Sequence, residues 1–230
     1  MANPIILRNK ISEGLASWLT FENHCGREKL FNERYISLPL GQILINNFEG
    51  VIEGEVNHPV LTSSGRRGRP PQMDFVVRNK GKVKLVVESK WAGATGITVA
   101  DILWDCVRLE LAAHHYGCEA LFILAGQRAR IDALLNSKTY NPKTSRNKPS
   151  PILGVNGNGR ISVNIESPKR DYCKALHKIL KSYPTIKFPR SFVCGSGTCI
   201  PRKAPKETYA SVVWHIRPEF SPKRSTFQVK

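Results

Sequence analysis

Apolar positions recur at mostly helical intervals from residue 4 to 21, where Ile5, Ile6, Ile11, Leu15, Trp18 and Leu19 predict an amphipathic N-terminal helix. A second helical stretch runs from about Arg27 to Asn47 on Leu30, Phe31, Tyr35, Leu38, Leu40, Ile43 and Leu44. Pro39 kinks it or restarts it after Ser37, which can cap the following turn. Strand-like runs follow at 51–56, 72–77 and 83–91, and the polar, Gly-containing Arg78–Lys82 joins the last two as a hairpin. Thr98 with Asp101 three residues on predicts a capped helix carrying Ile102, Leu103, Cys106, Val107, Leu109, Leu111 and Ala113, ended by Gly117. Ala120–Ala125 is wholly apolar and of strand length, the signature of a buried central strand. These elements make an α/β fold, a mixed central sheet flanked by helices.

The pattern changes beyond Ser137, where Pro, Lys, Asn and Ser dominate residues 138–151. A hairpin near Gly154–Ile165, a helix from Pro168 to about Ser182, a Pro/Gly/Cys loop and a strand at Tyr209–Ile216 complete the chain. Residues 1–137 read as the core with its N-terminal helix. Residues 138–230 read as a basic C-terminal extension packed on the same domain.

Charge sharpens that division. The 230 residues carry 35 Lys and Arg against 18 Asp and Glu, a net +17. Residues 1–137 hold 16 basic and 14 acidic side chains, while residues 138–230 hold 19 and 4. A balanced part that retains carboxylates, followed by a part at +15, suits a site beside an electrostatic cradle for a phosphate backbone. With 41% hydrophobic residues the chain can bury a core, and no apolar stretch reaches the ~20 residues that span a bilayer. Six irregularly spaced cysteines and an N-terminus without a secretory-signal pattern lead to the expectation of reduced thiols in the cytoplasm, with no membrane association.

The candidate chemistry lies in Asp74, Glu88 and Lys90. Glu88 and Lys90, two apart on one strand, project from the same side of a sheet. If residue 77 pairs with 83, Asp74 sits opposite Val86 and diagonal to Glu88; a slip of two puts it directly across from Glu88. Two close carboxylates resist desolvation unless a cation intervenes, and a divalent metal resolves the conflict. Mg²⁺ takes few carboxylates, keeps several waters and can present one to a phosphodiester, with Mn²⁺ a substitute. Asp74 and Glu88 are the expected ligands, and Lys90 the base or the stabiliser of the pentacovalent phosphorus.

Pro71-Gln-Met-Asp74, followed after the hairpin by Val87-Glu-Ser-Lys90, resembles the PD-(D/E)XK nuclease superfamily, and the αβββαβ order over about 27–126 agrees. Met73 stands where the name-giving proline would precede the aspartate. The resemblance implies a restriction-endonuclease-like core, a further acidic residue at Glu33 with Glu28 as fallback, and cleavage of duplexes as a homodimer. It also implies that a polar residue of the middle helix can face the metal, although Asp105, Arg108 and Glu110 read as ordinary helix-surface pairs.

The function expected is therefore a Mg²⁺-dependent nuclease acting on double-stranded DNA. The alternatives are an inert nucleic-acid-binding module of the same fold and an RNA-binding protein. Arg66, Arg67 and Arg69 in the Gly-rich loop, and Arg170, Lys174 and Lys178 on one face of the 168–182 helix, are the expected phosphate contacts. Cys194 and Cys199 with His177 or His215 offer half a zinc site, and no second Cys pair follows. His58, His114 and His115 have no evident partner in sequence, and Gly154–Gly159 reads as a turn rather than a phosphate loop.

Overall fold

A computed structural model describes residues 4–64, 68–93, 96–142, 150–157, 159–167, 171–202, 205, 208–218 and 225–229. In chain order the elements are α1 (Pro4–His24), α2 (Glu33–Asn47), β1 (Val51–Asn57), β2 (Gln72–Asn79), β3 (Lys82–Ala92), α3 (Val99–Tyr116), β4 (Glu119–Gln127) and α4 (Arg128–Leu135). They continue with β5 (Arg160–Asn164), α5 (Asp171–Leu180), β6 (Phe188–Pro189), β7 (Ser191–Gly195), β8 (Thr198–Ile200), β9 (Tyr209–Arg217) and β10 (Thr226–Phe227).

Seven strands lie in the order β1-β2-β3-β4-β9-β7-β5, and β8 pairs with β9 beside them. Only β3 and β4 run parallel, joined through α3, so the sheet is mixed. Leu7, Ile11 and Leu15 of α1 with Leu40 and Leu44 of α2 cover one face, against Val77, Leu85, Val87, Leu121, Ile123 and Val213. α3 and α5 cover the other, setting Ile102, Leu103, Cys106 and Leu176 against Val76, Val86, Phe122, Leu124 and Trp214. With both faces roofed, β4 is apolar at every position from Ala120 to Ala125, and Phe122 stacks on Trp214 with ring centroids 5.7 Å apart. Among the described residues no helix is long and apolar enough to cross a membrane.

Several boundaries differ from expectation for identifiable reasons. α2 is capped by Asn32, whose Oδ1 accepts the Tyr35 N–H at 3.0 Å, and runs through Pro39 without restarting. Ser37 instead donates its hydroxyl to the Glu33 carbonyl at 3.1 Å, one turn back. The β2–β3 turn is tighter than a 78–82 loop, because Lys80 and Gly81 both take left-handed φ values of 49° and 74°. Asn79 then pairs with Lys82 and Arg78 with Val83, but a bulge shifts Val77 onto Leu85 and Phe75 onto Val87. Continued by one residue, this register sets Asp74 across from Glu88.

The basic part also differs. Among the described residues of the expected 154–165 hairpin only Arg160–Asn164 forms a strand, and its partner is β7. The Gly-rich segment around Cys194–Cys199 forms β7 and β8 rather than a loop. Gly197 serves close packing there, since a Cβ would come 2.6 Å from Nε1 of Trp214, which itself donates to the Gly154 carbonyl at 2.9 Å. β9 pairs along β4 from Gln127↔Tyr209 to Ala120↔Ile216, so a strand from the basic part lies in the middle of the sheet.

Candidate active site

The β2–β3 hairpin opens where its chemistry begins. The ladder between the strands stops at Phe75↔Val87, and beyond it the Asp74 carboxylate accepts both the Ser89 N–H and the Ser89 hydroxyl at 2.7 Å through Oδ2. A side chain thus stands where a neighbouring strand's carbonyl would be. On β3, Leu85 and Val87 face α1 and α2, while Val86 faces α3. Strand alternation therefore turns Glu88 and Lys90 toward α3.

There they meet Asp105 and Arg108. Lys90 Nζ lies 3.1 Å from Asp105 Oδ2 and 3.8 Å from Glu33 Oε2. Arg108 Nη2 lies 2.8 Å from Glu88 Oε1, and Arg108 Nη1 donates to Asp105 Oδ1 at 3.2 Å. Arg108 also donates to the Gln72 carbonyl at the start of β2. Asp105 and Arg108 are thus not surface pairs, and Asp105 is 2% exposed and Glu88 3%. Glu110 is fully buried as well.

The charges bias one another. Burial pushes the Glu88 carboxyl well above the ordinary range, an effect that Arg108 opposes. Burial likewise raises Asp105 against the pull of Lys90 and Arg108, and raises Glu33 against the pull of Lys90. Burial pulls the Lys90 ammonium down, but Asp105 and Glu33 outweigh it and hold its pKa above the usual value. Lys90 at neutral pH is therefore a cation.

Glu33, Asp74, Glu88, Lys90 and Arg108 line a cleft of about 490 Å³ whose wall also includes Arg69, Trp104 and the buried Tyr183. The two aromatic rings pack on each other, with centroids 5.1 Å apart and planes tilted by 31°. Trp104 and Tyr183 carry no motif. Asp105 and Arg108 stand one turn apart in a helix that also carries Asp101, Glu110, His114 and His115, so the sequence alone reads them as surface pairs.

The donors are hard oxygens, the type that Mg²⁺ accepts. Asp105 Oδ2 is taken up by Lys90, whereas Glu88 Oε1, buried 2.8 Å from Arg108 Nη2, accepts no aligned hydrogen bond, so a lone pair remains for a cation. Among the described residues no three His, Cys, Asp or Glu side chains converge as a metal cage. An ion at Asp74 and Glu88 would take two carboxylates and complete its shell with water, which fits Mg²⁺ and not a dehydrated site.

The remaining candidates are placed elsewhere. Arg66, Arg67 and Arg170 lie outside the described residues. Arg69 reaches the mouth of the cleft and pairs with Glu55 at 2.8 Å. Lys174 and Lys178 lie on the exposed face of α5, and Lys174 pairs with Asp171 at 3.1 Å. Cys194 and Cys199 are buried thiols whose pKa values burial raises; His177 bonds the Ile165 carbonyl and His215 the Glu119 carboxylate, so no zinc site forms among them. His58 is fully buried: its Nδ1 accepts from Val60 and Leu61 N–H groups at 3.2 and 3.1 Å, and its Nε2 donates to the Arg108 carbonyl at 2.9 Å. It braces the turn of α3 that carries Arg108.

Compared with family models, curated proteins and solved structures, the chain matches none.

Proposed function

We propose that the chain is a metal-dependent nuclease of the PD-(D/E)XK kind, hydrolysing phosphodiester bonds in double-stranded DNA. The observation that carries this reading is the meeting of Asp74, Glu88 and Lys90 at the opened end of the β2–β3 hairpin, in one polar cleft. The element order α2-β1-β2-β3-α3-β4 supports it.

In this reading Asp74 and Glu88 hold Mg²⁺, or Mn²⁺ in its place. The ion supplies a water of lowered pKa and charge neutralisation at the scissile phosphate. Lys90, held as a cation by Asp105 and Glu33, acts electrostatically: its Nζ stabilises negative charge on the phosphorane oxygens rather than removing a proton. Glu33 orients that ammonium from the N-terminus of α2.

One observation favours the rival, an inert binding module of the same fold. Arg108 and Lys90 already balance Glu88 and Asp105. Incubation with supercoiled plasmid, linear duplex and single strands, in Mg²⁺, in Mn²⁺ and in chelator, separates the two. Metal-dependent breakage of duplex supports the nuclease, and intact substrate under every condition supports the rival.

A further inference from the structure

A second cleft, of about 500 Å³, opens where β9 ends beside the start of β4. Val213 of β9 faces α1, and alternation carries His215 and Arg217 to that same face, away from the side that holds Glu88 and Lys90. Four arginines line it: Arg8 from α1, Arg160 at the start of β5, Arg202 after β8 and Arg217 at the end of β9. Three of the four belong to the strongly basic residues 138–230, so the charge asymmetry of the sequence converges on this place. No carboxylate and no Phe, Trp or Tyr is among its described lining residues. The nearby Glu119 carboxylate is already engaged by Nε2 of His215, whose Nδ1 accepts from Arg217 Nε at 3.4 Å. Arg8 donates one Nη1–H to the Ser196 carbonyl, while its Nε is buried without a partner.

Four guanidinium groups brought to one cavity repel each other, and no carboxylate among its described lining residues offsets them; beside the cleft, Glu119 feels Arg217 alone of the four. Their planar forks match phosphate oxygens two at a time. A mononucleotide would find no Phe, Tyr or Trp among the described lining residues on which to stack its base, whereas a strand backbone needs only charge and donors. We propose that this cleft binds the backbone phosphates of a nucleic-acid strand, independently of sequence and of the carboxylate cleft.

The test is fluorescence anisotropy of the full chain with a short labelled duplex, in chelator, over a series of salt concentrations. Arg160 and Arg202 are exposed, so Arg160→Gln/Arg202→Gln leaves the core untouched. The expected result is binding weaker by about 10-fold or more, with the slope of log Kd against log salt flatter by about 2, as two lost phosphate contacts require. Arg217→Gln weakens binding in the same direction. Unchanged affinity and slope in both variants overturn the proposal. Equal losses with 5′-phosphorylated and 5′-hydroxyl duplexes support backbone contact, and a loss confined to the 5′-phosphorylated form overturns it in favour of a terminal phosphate. Chelator prevents metal-dependent cleavage, so the outcome does not depend on whether the other cleft hydrolyses DNA.

Discussion

Lys90 Nζ stands 3.1 Å from Asp105 Oδ2, a charge contact that ties the end of β3 to the second turn of α3. Both groups are largely withdrawn from water, with the Lys90 side chain 25% exposed and that of Asp105 3%. The contact fixes the ammonium in place and keeps it charged. Asp105→Ala removes the carboxylate and leaves Lys90 and Arg108 with less compensation. The expected cost is about 3 kcal/mol of stability, read from denaturant unfolding, together with at least a ~10-fold fall in single-turnover cleavage. Cleavage at the wild-type rate in a folded Asp105→Ala protein would remove Asp105 from the positioning of Lys90.

Arg108 is the counter-charge of Glu88, 2.8 Å away at the foot of the cleft. Arg108→Met strands a buried carboxylate, with an expected loss of about 3–5 kcal/mol. Adding Glu88→Gln to the same chain removes the stranded charge and restores part of that loss. A double-mutant cycle by chemical denaturation measures the coupling. Additive effects would mean that the pair contributes nothing jointly.

His58 predicts a pH dependence. Burial lowers its pKa from 6.5 to about 4 in the folded protein. As pH falls, the unfolded chain therefore takes up the proton first, so this contribution to stability is complete above about 6.5 and is lost between there and 4. The loss is on the order of 3 kcal/mol across that window. Melting temperature against pH should fall more steeply for the wild type than for His58→Gln, which keeps a donor for the Arg108 carbonyl. Parallel profiles would assign the acid sensitivity to other groups.

Much of the α3 face of this fold was legible in the residues. The Thr98–Asp101 capping box, the Gly117 stop and the apolar run of β4 each reflect a local rule, and each appears where that rule puts it. Asp74, Glu88 and Lys90 were legible because a strand alternates its faces. The choice between the two registers was not, since the bulge at Val77/Arg78 is a shift of one residue that no propensity signals. The inward turn of Asp105 and Arg108 depends on which stripe of α3 meets the sheet, and only packing decides that. The strands β7 and β8 were hidden by glycines that read as turn formers, of which Gly197 serves instead to let Trp214 approach the backbone.

The place of β9 leads to a prediction about fragments. It covers the edge of β4 from Gln127 to Ala120 and supplies Val212, Trp214 and Ile216 to the core. A chain ending at Ser137 would expose that edge and leave Phe122 without its stacking partner. The fragment should lack a cooperative thermal transition and should aggregate, as scanning calorimetry and gel filtration would report. A sharp transition in the soluble fragment would make residues 1–137 an independent unit.

The most direct measurement pairs cleavage with binding in one variant. Glu88→Gln keeps the size of the side chain and removes its charge, so it should lower Mg²⁺-dependent cleavage of plasmid DNA by about 100-fold or more. Its affinity for duplex in chelator should stay within about threefold of the wild type, because the arginine cleft proposed to hold the backbone lies on the other face of the sheet. Lys90→Ala should behave in the same way. Cleavage by Glu88→Gln at the wild-type rate, or no metal-dependent cleavage by the wild type, would contradict a nuclease centred on Asp74, Glu88 and Lys90.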